Sequence, residues 1–346
     1  MNPTHPVSHP VIDGHTHICG SGNEGTGCFI SRRLLSSFAF RYMRWKLGLG
    51  VFGEVQGLDG AVRKSLFADL DAAPSVDYVV LYGHDKVYRD GELREDLTHM
   101  HTPNDYVLRL TKEHPKILAA ASVHPDRPDA LEELERCAAA GAVMLKWLPP
   151  NQGMDPADRR HRPFYEALAR LGIPLVAHTG GEHTVPMLWP EYCDPARLEL
   201  ALDCGVNVIA AHSGTKSGLV DPEYYATFAA LARRYPNCWG DTAAFTSPNR
   251  MRHVGRLLKD PEVLAKTVHG SDYPVPITAW SALRHLPLGE IRRIQALPSP
   301  LERDVAIKRS AGLPEAHFRT LGGLLPARIW AGRSGAGKGP ADVSGE

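Results

Sequence analysis

Eight short apolar runs, spread along one chain, constrain its fold more than any other feature. They are VIDGHTH (11–17), VDYVVLY (76–82), ILAAASV (117–123), AVMLKWL (142–148), IPLVAH (173–178), VNVIAAH (206–212), NCWGDT (237–242) and KTVHGSD (266–272). Each has the length of a β-strand and is nearly continuous in apolarity, which suits parallel strands covered on both faces. Helical patterns lie between them. DALEELERCAAAG starts at Asp129 and stops at Gly141. FYEALARLG spans 164–172, with apolar residues at 164, 168 and 171. PARLELALDCG (195–205) opens with Pro and closes with Gly, and PEYYATFAALARRY (222–235) follows Asp221 as its expected N-cap. Strand–helix alternation repeated eight times predicts a (β/α)8 TIM barrel, for which about 250 residues suffice. An open doubly wound sheet is the alternative, weakened because no G-x-G-x-x-G follows the first run.

The chain has 346 residues, so a barrel leaves material over. Two regions fall outside the repeat: an insert after the first strand (18–70), and helical stretches within 280–331, namely PLGEIRRIQAL, PLERDVAIKRSAG and PEAHFRTLGGLL. We expect one domain over 1–331, followed by a Gly-rich polar tail at 332–346 that is expected to be disordered. Lys+Arg and Asp+Glu number 39 each, which argues against a dedicated nucleic-acid binder. The six cysteines form no C-x-x-C pair, so no disulfide framework is expected. The N-terminus lacks the pattern of a secretory signal and no apolar run is long enough to span a membrane, so a cytoplasmic protein is expected. Histidine is the compositional outlier, with 17 copies, and it is the commonest metal ligand.

In a barrel, function collects at the C-terminal ends of the strands. The first run ends in His15 and His17, two apart and therefore on one side of a strand. Lys146 lies in the fourth run, and His178, His212 and Asp272 end the fifth, sixth and eighth. Taken singly, each has an ordinary structural explanation. Four histidines, a lysine and an aspartate gathered at one rim point instead to a metal site.

These residues carry a family resemblance. Through DGHTH (13–17), LVAHTGG (175–181), AAHSG (210–214), HGSDYP (269–274) and RDVAIKRSAGLP (303–314), the sequence resembles the amidohydrolase superfamily. It is most similar to the branch of metal-dependent TIM-barrel enzymes that also contains aminocarboxymuconate-semialdehyde-type decarboxylases. The resemblance implies metal ligands at His15, His17, Lys146, His178, His212 and Asp272. In a two-metal site a carboxylated Lys146 would bridge. His15, His17 and Asp272 would hold one ion, and His178 and His212 the other. In a one-metal site His15, His17, His178 and Asp272 would be the ligands, with His212 polarising substrate. Zinc is the expected metal, with manganese or iron as alternatives.

The implied activity is hydrolysis of a small molecule at an amide, ester, lactone or thioester carbonyl. A hydroxide formed on the metal would attack, Asp272 would act as general base and His212 would assist. The alternatives are a one-metal non-oxidative decarboxylase and a binding protein without catalysis. The loops carry no motif that names a substrate, and a homo-oligomer is possible. Lesser strand-end candidates are His84, Asp85, His124, Asp126, Glu182, His183 and Asp241, while Trp147 reads as packing. FISRRLLSSFAFRYMRWKL (29–47) carries five cations and no acid on a helical apolar spacing at 34, 38, 42 and 45. It reads as one basic amphipathic helix: a solvated surface helix, a lid over the site, or a membrane-contacting segment.

Overall fold

A computed structural model describes residues 9–50, 56–182, 184–218 and 221–331. The tail at 332–346 and His183 lie outside these described residues. Eight parallel strands form the sheet: β1 (Ile12–His17), β2 (Tyr78–Tyr82), β3 (Ile117–Ala121), β4 (Met144–Trp147), β5 (Leu175–His178), β6 (Val208–Ala211), β7 (Cys238–Asp241) and β8 (Thr267–Val268). They pair in chain order. Three hydrogen bonds then bring β1 against the segment that follows β8: Gly14 N–H to His269 O (2.9 Å), Asp272 N–H to His15 O (2.9 Å) and His17 N–H to Tyr273 O (2.7 Å). The fold is a TIM barrel.

Alternation along each strand sorts the side chains. Val79, Leu81, Ile117, Ala119, Leu145, Leu175, Ala177, Val208 and Ala210 pack outward into the layer beneath the helices. Ile12, Val80, Tyr82, Leu118, Ala120, Met144, Val176, Ile209 and Ala211 fill the interior. Leu321 and Leu325, from the C-terminal region, join that interior cluster. Gly14 must be glycine, because a Cβ there would lie 2.6 Å from Leu321 Cδ2. The same two-residue period carries the inward direction from Met144 to Lys146 and from Val176 to His178.

The connections depart from expectation in three places. Residues 18–70 are not wholly an insertion: helix Leu58–Asp71 buries Leu58, Val62, Leu66 and Leu70 and supplies the crossover that parallel neighbours require. The basic segment is two helices, Arg32–Leu35 and Phe38–Lys46, because Ser31 and Ser37 each cap a new start. Their hydroxyls accept from Leu34 N–H and Phe40 N–H at 3.3 Å each. Asp221 is not the N-cap of the helix that follows: helix Tyr225–Arg234 begins later, and the Asp221 carboxylate accepts from Ser217 N–H and Gly218 N–H.

The C-terminal region does form helices, at Leu288–Gln295, Pro300–Ser310, Glu315–Arg319 and Arg328–Ala331. All six cysteines are free thiols. Among the described residues no helix is long and apolar enough to cross a membrane.

Candidate metal centre

His15 is fully buried at the end of β1. Its Nδ1–H donates to Asp241 Oδ2 at 2.7 Å, which fixes the tautomer and turns Nε2 inward. Around that Nε2 lie His17 Nε2 at 3.1 Å, Lys146 Nζ at 3.2 Å and Asp272 Oδ1 at 3.3 Å. His17 Nε2 is 3.4 Å from the same Asp272 oxygen. Gly270 permits this approach, since a Cβ there would sit 2.7 Å from the Cβ of His15.

His212 repeats the arrangement. Its Nδ1–H donates to Ala243 O at 3.1 Å, leaving Nε2 as the free lone pair. Its ring centroid is 5.1 Å from that of His15 and 4.9 Å from that of His178. Among the described residues the buried Nε2 of His178 has no hydrogen-bond partner, while Nδ1 faces Glu182 Oε2 at 3.7 Å. One donor atom each from His15, His212 and Asp272 lie within 4.8 Å of one another. All six residues singled out in the sequence therefore meet at one rim. They leave unspent nitrogen lone pairs and a carboxylate, the donor set of a first-row divalent cation.

Electrostatics agree with that donor set. Burial holds the His15, His178 and His212 imidazoles well below their ordinary range, and the Lys146 charge adds to the effect, so these rings are neutral. Burial also brings the Lys146 ammonium down to about 8, against the pull of Asp241, Asp272 and Glu182. Burial would raise the Asp272 carboxyl, but His17, His15 and Lys146 outweigh it and keep the pKa low. His212 and Asp272 both adopt positive φ, at 59° and 67°, as do Ser213 and Ala244. Non-glycine residues seldom do so, and such conformations cluster at functional sites.

Sequence reasoning underweighted two residues. Asp241 is the hub behind the histidines: besides His15 it accepts from His212 N–H (2.6 Å) and Ala243 N–H (3.0 Å). Its signal was one acid closing an apolar strand. Arg250 gave no signal. Buried after β7, it donates to Gly181 O (2.6 Å) and Thr215 Oγ1 (3.4 Å), tying together the loops that follow His178 and His212. Three of the lesser candidates are spent on structural neighbours. His124 spends both nitrogens on Gln152 O and Asp126 N–H. Asp126 accepts from His161 at 3.1 Å, and Asp85 accepts from His124 N–H and Arg127. His84 is buried at the end of β2, within the field of His101, His17 and Lys146. Trp147 packs on Phe164 with ring centroids 5.5 Å apart.

Comparison with known proteins follows the same lines. No curated protein matches the sequence. Solved structures match over nearly their whole length at low identity, which shows the fold alone. An uncharacterised TIM-barrel protein from Bordetella bronchiseptica is 18% identical with a TM-score of 0.55, covering 87% of this chain and 99% of its own. A probable 2-pyrone-4,6-dicarboxylic acid hydrolase from Acinetobacter baumannii is 16% identical with a TM-score of 0.51, over 90% and 99%. A 5-carboxyvanillate decarboxylase from Sphingomonas paucimobilis is 14% identical with a TM-score of 0.51, also over 90% and 99%. The amidohydrolase family model matches residues 58–304, a span that includes Lys146, His178, His212 and Asp272 but begins after the His15–His17 pair. With most of the chain inside that match, and with the two histidines it omits closing the same cluster, the protein belongs to the amidohydrolase family.

Proposed function

We propose that the protein is a metal-dependent hydrolase acting at a carbonyl of a small molecule. One observation carries the reading: at the barrel rim the Nε2 atoms of His15 and His17 face each other at 3.1 Å, and that of His178 has no hydrogen-bond partner among the described residues. Two imidazole nitrogens whose lone pairs face each other at that distance repel unless a proton or a cation lies between them. His15, His17 and Asp272 would hold one ion and His178 and His212 a second, or His15, His17, His178 and Asp272 would hold a single ion with His212 beside them, and zinc fits this mixed imidazole and carboxylate set. A divalent ion so held supplies Lewis acidity, which lowers the pKa of water to about 7 and polarises a carbonyl.

The remaining work falls to the chain. The Asp272 carboxylate takes the proton from the attacking water and passes it to the departing group as the carbonyl–heteroatom bond breaks. Asp241 keeps the His15 ring turned inward. Lys146 would stand beside a single ion as a cation or bridge two ions as a carbamate.

A second reading, non-oxidative decarboxylation, is favoured by a separate observation. The described residues offer one compact His15–His212–Asp272 grouping, with the Lys146 amine 3.2 Å from His15 Nε2. That suits one ion better than two.

Elemental analysis of undialysed protein tests the shared premise. We expect at least one equivalent of a divalent metal per chain, and a small fraction of one that zinc or manganese fails to increase would sink both readings. A panel of lactones, amides, acyl thioesters and aryl carboxylates then separates them. Carbonyl cleavage with two metals supports hydrolysis, whereas carbon dioxide release with one supports decarboxylation.

A further inference from the structure

Residues 25–53 contain Arg32, Arg33, Arg41, Arg44 and Lys46 and no acid. In the structure the nine-residue helix Phe38–Lys46 carries large apolar side chains on both its inward and its outward face. Phe40 is buried inward, while Phe38 and Trp45 stand 85% and 65% exposed. Phe38, Arg41 and Trp45 are spaced i, i+3 and i+7, one stripe along the outward side. Tyr42 lies against Trp45, with ring centroids 5.9 Å apart, and Lys46 Nζ sits 5.9 Å over the Tyr42 ring. Arg32, Arg33 and Lys46 are in no ion pair with a described residue. An exposed aromatic ring is ordinary by itself. Two on one stripe, set among outward cations, make a surface shaped for a partner.

Charge selects the partner. A symmetric contact between two copies would set this cationic patch against itself, so the patch does not suit a two-fold dimer interface. An anionic partner matches it. Rings this exposed project from the helix instead of lining a groove. A deformable interface receives projecting rings anywhere, whereas a folded acidic protein would need pockets in register with both. We propose that helix Phe38–Lys46 docks the protein on an anionic phospholipid surface. Phe38 and Trp45 seat among the headgroups, while Arg32, Arg33 and Lys46 face the lipid phosphates. The proposal stands on this surface alone and is independent of the reaction at the barrel rim.

Vesicle sedimentation of the full chain tests it, comparing pure phosphatidylcholine with phosphatidylcholine containing about one third phosphatidylglycerol. Partitioning should be at least about tenfold stronger to the anionic vesicles and should fall as salt rises. Phe38→Ser combined with Trp45→Ser should lose about tenfold of that binding, with metal content and circular dichroism unchanged. If the double variant misfolds, quenching of tryptophan by brominated acyl chains in the wild type, absent in Trp45→Phe, supplies the same answer. Equal partitioning to both vesicles, no partitioning, or quenching that survives Trp45→Phe overturns the proposal. So does retention on polyglutamate without vesicle binding, which would assign the patch to an acidic polypeptide.

Discussion

Two lysines are buried in this barrel, and their surroundings differ. Lys308, on the outer side of β8, donates to Asp304 Oδ2 at 2.6 Å and to Gly270 O at 2.7 Å, and the other Asp304 oxygen accepts from Thr246. Among the described residues Lys146, on the inner side, has the His15 nitrogen at 3.2 Å and the face of Tyr82, with Nζ 4.9 Å from the ring centroid. Among the described residues no carboxylate lies within ion-pair distance of it. Burying a charge is costly unless a partner answers it. Lys308 is answered by the protein and holds the backbone two residues before Asp272. Lys146 is left for something the protein binds or for a change in its own chemistry. A finished cluster of polar groups is architecture, and an unfinished one is a site.

The comparison breaks most visibly in activity. Lys146→Met and Asp272→Ala should each lower turnover of an identified substrate by on the order of 10^4-fold, while Lys146→Met leaves urea stability within about 1 kcal/mol of wild type. A Lys146 variant that keeps its rate and metal but loses several kcal/mol of stability would reverse the roles assigned to the two lysines. Lys308→Met should show the opposite signature. It strands the buried Asp304 carboxylate and should cost about 3–5 kcal/mol in urea unfolding; a loss below about 1 kcal/mol would show that the pair is not structural.

Asp241→Asn sharpens the boundary between the two clusters, since it touches the site only through His15 and two backbone N–H groups. It should weaken metal affinity by about 10–100-fold, read by competition with a chelator. Unchanged affinity would remove Asp241 from the site.

The smallest effect belongs to a finished cluster outside the metal centre. Glu133 accepts from Arg136 (2.7 and 2.9 Å), Asn104 (2.7 Å) and Cys137 (3.3 Å). Burial would raise its carboxyl, but these bonds prevail and bring the pKa to about 2. A folded pKa below the unfolded value gives stability that is present above the ordinary glutamate range and is lost as pH falls through about 2. Glu133→Gln should therefore cost about 1–3 kcal/mol near neutral pH and flatten the acid limb of the stability curve. An acid limb identical to wild type would count against the assignment.

How far the sequence could be read follows from the same physics. The strand-end residues were legible because a two-residue period carries the inward direction from Met144 to Lys146 and from Val176 to His178. The ring of strands was legible because eight apolar runs share one rhythm. The roles of Asp241 and Arg250 were not, because each depends on which loops meet across the barrel, information that lies in no local pattern. The break at Ser36–Ser37 was hidden for another reason. Helical periodicity runs through both helices, so the apolar spacing concealed two serine caps and placed Phe38 and Trp45 on the wrong face.

The filled interior has a kinetic consequence. Below Lys146 and His178 the barrel is solid hydrocarbon, closed further by Leu321 and Leu325. The packed interior leaves the rim as the route to the donor atoms. Product and substrate share that route, so the product released last should inhibit competitively with substrate.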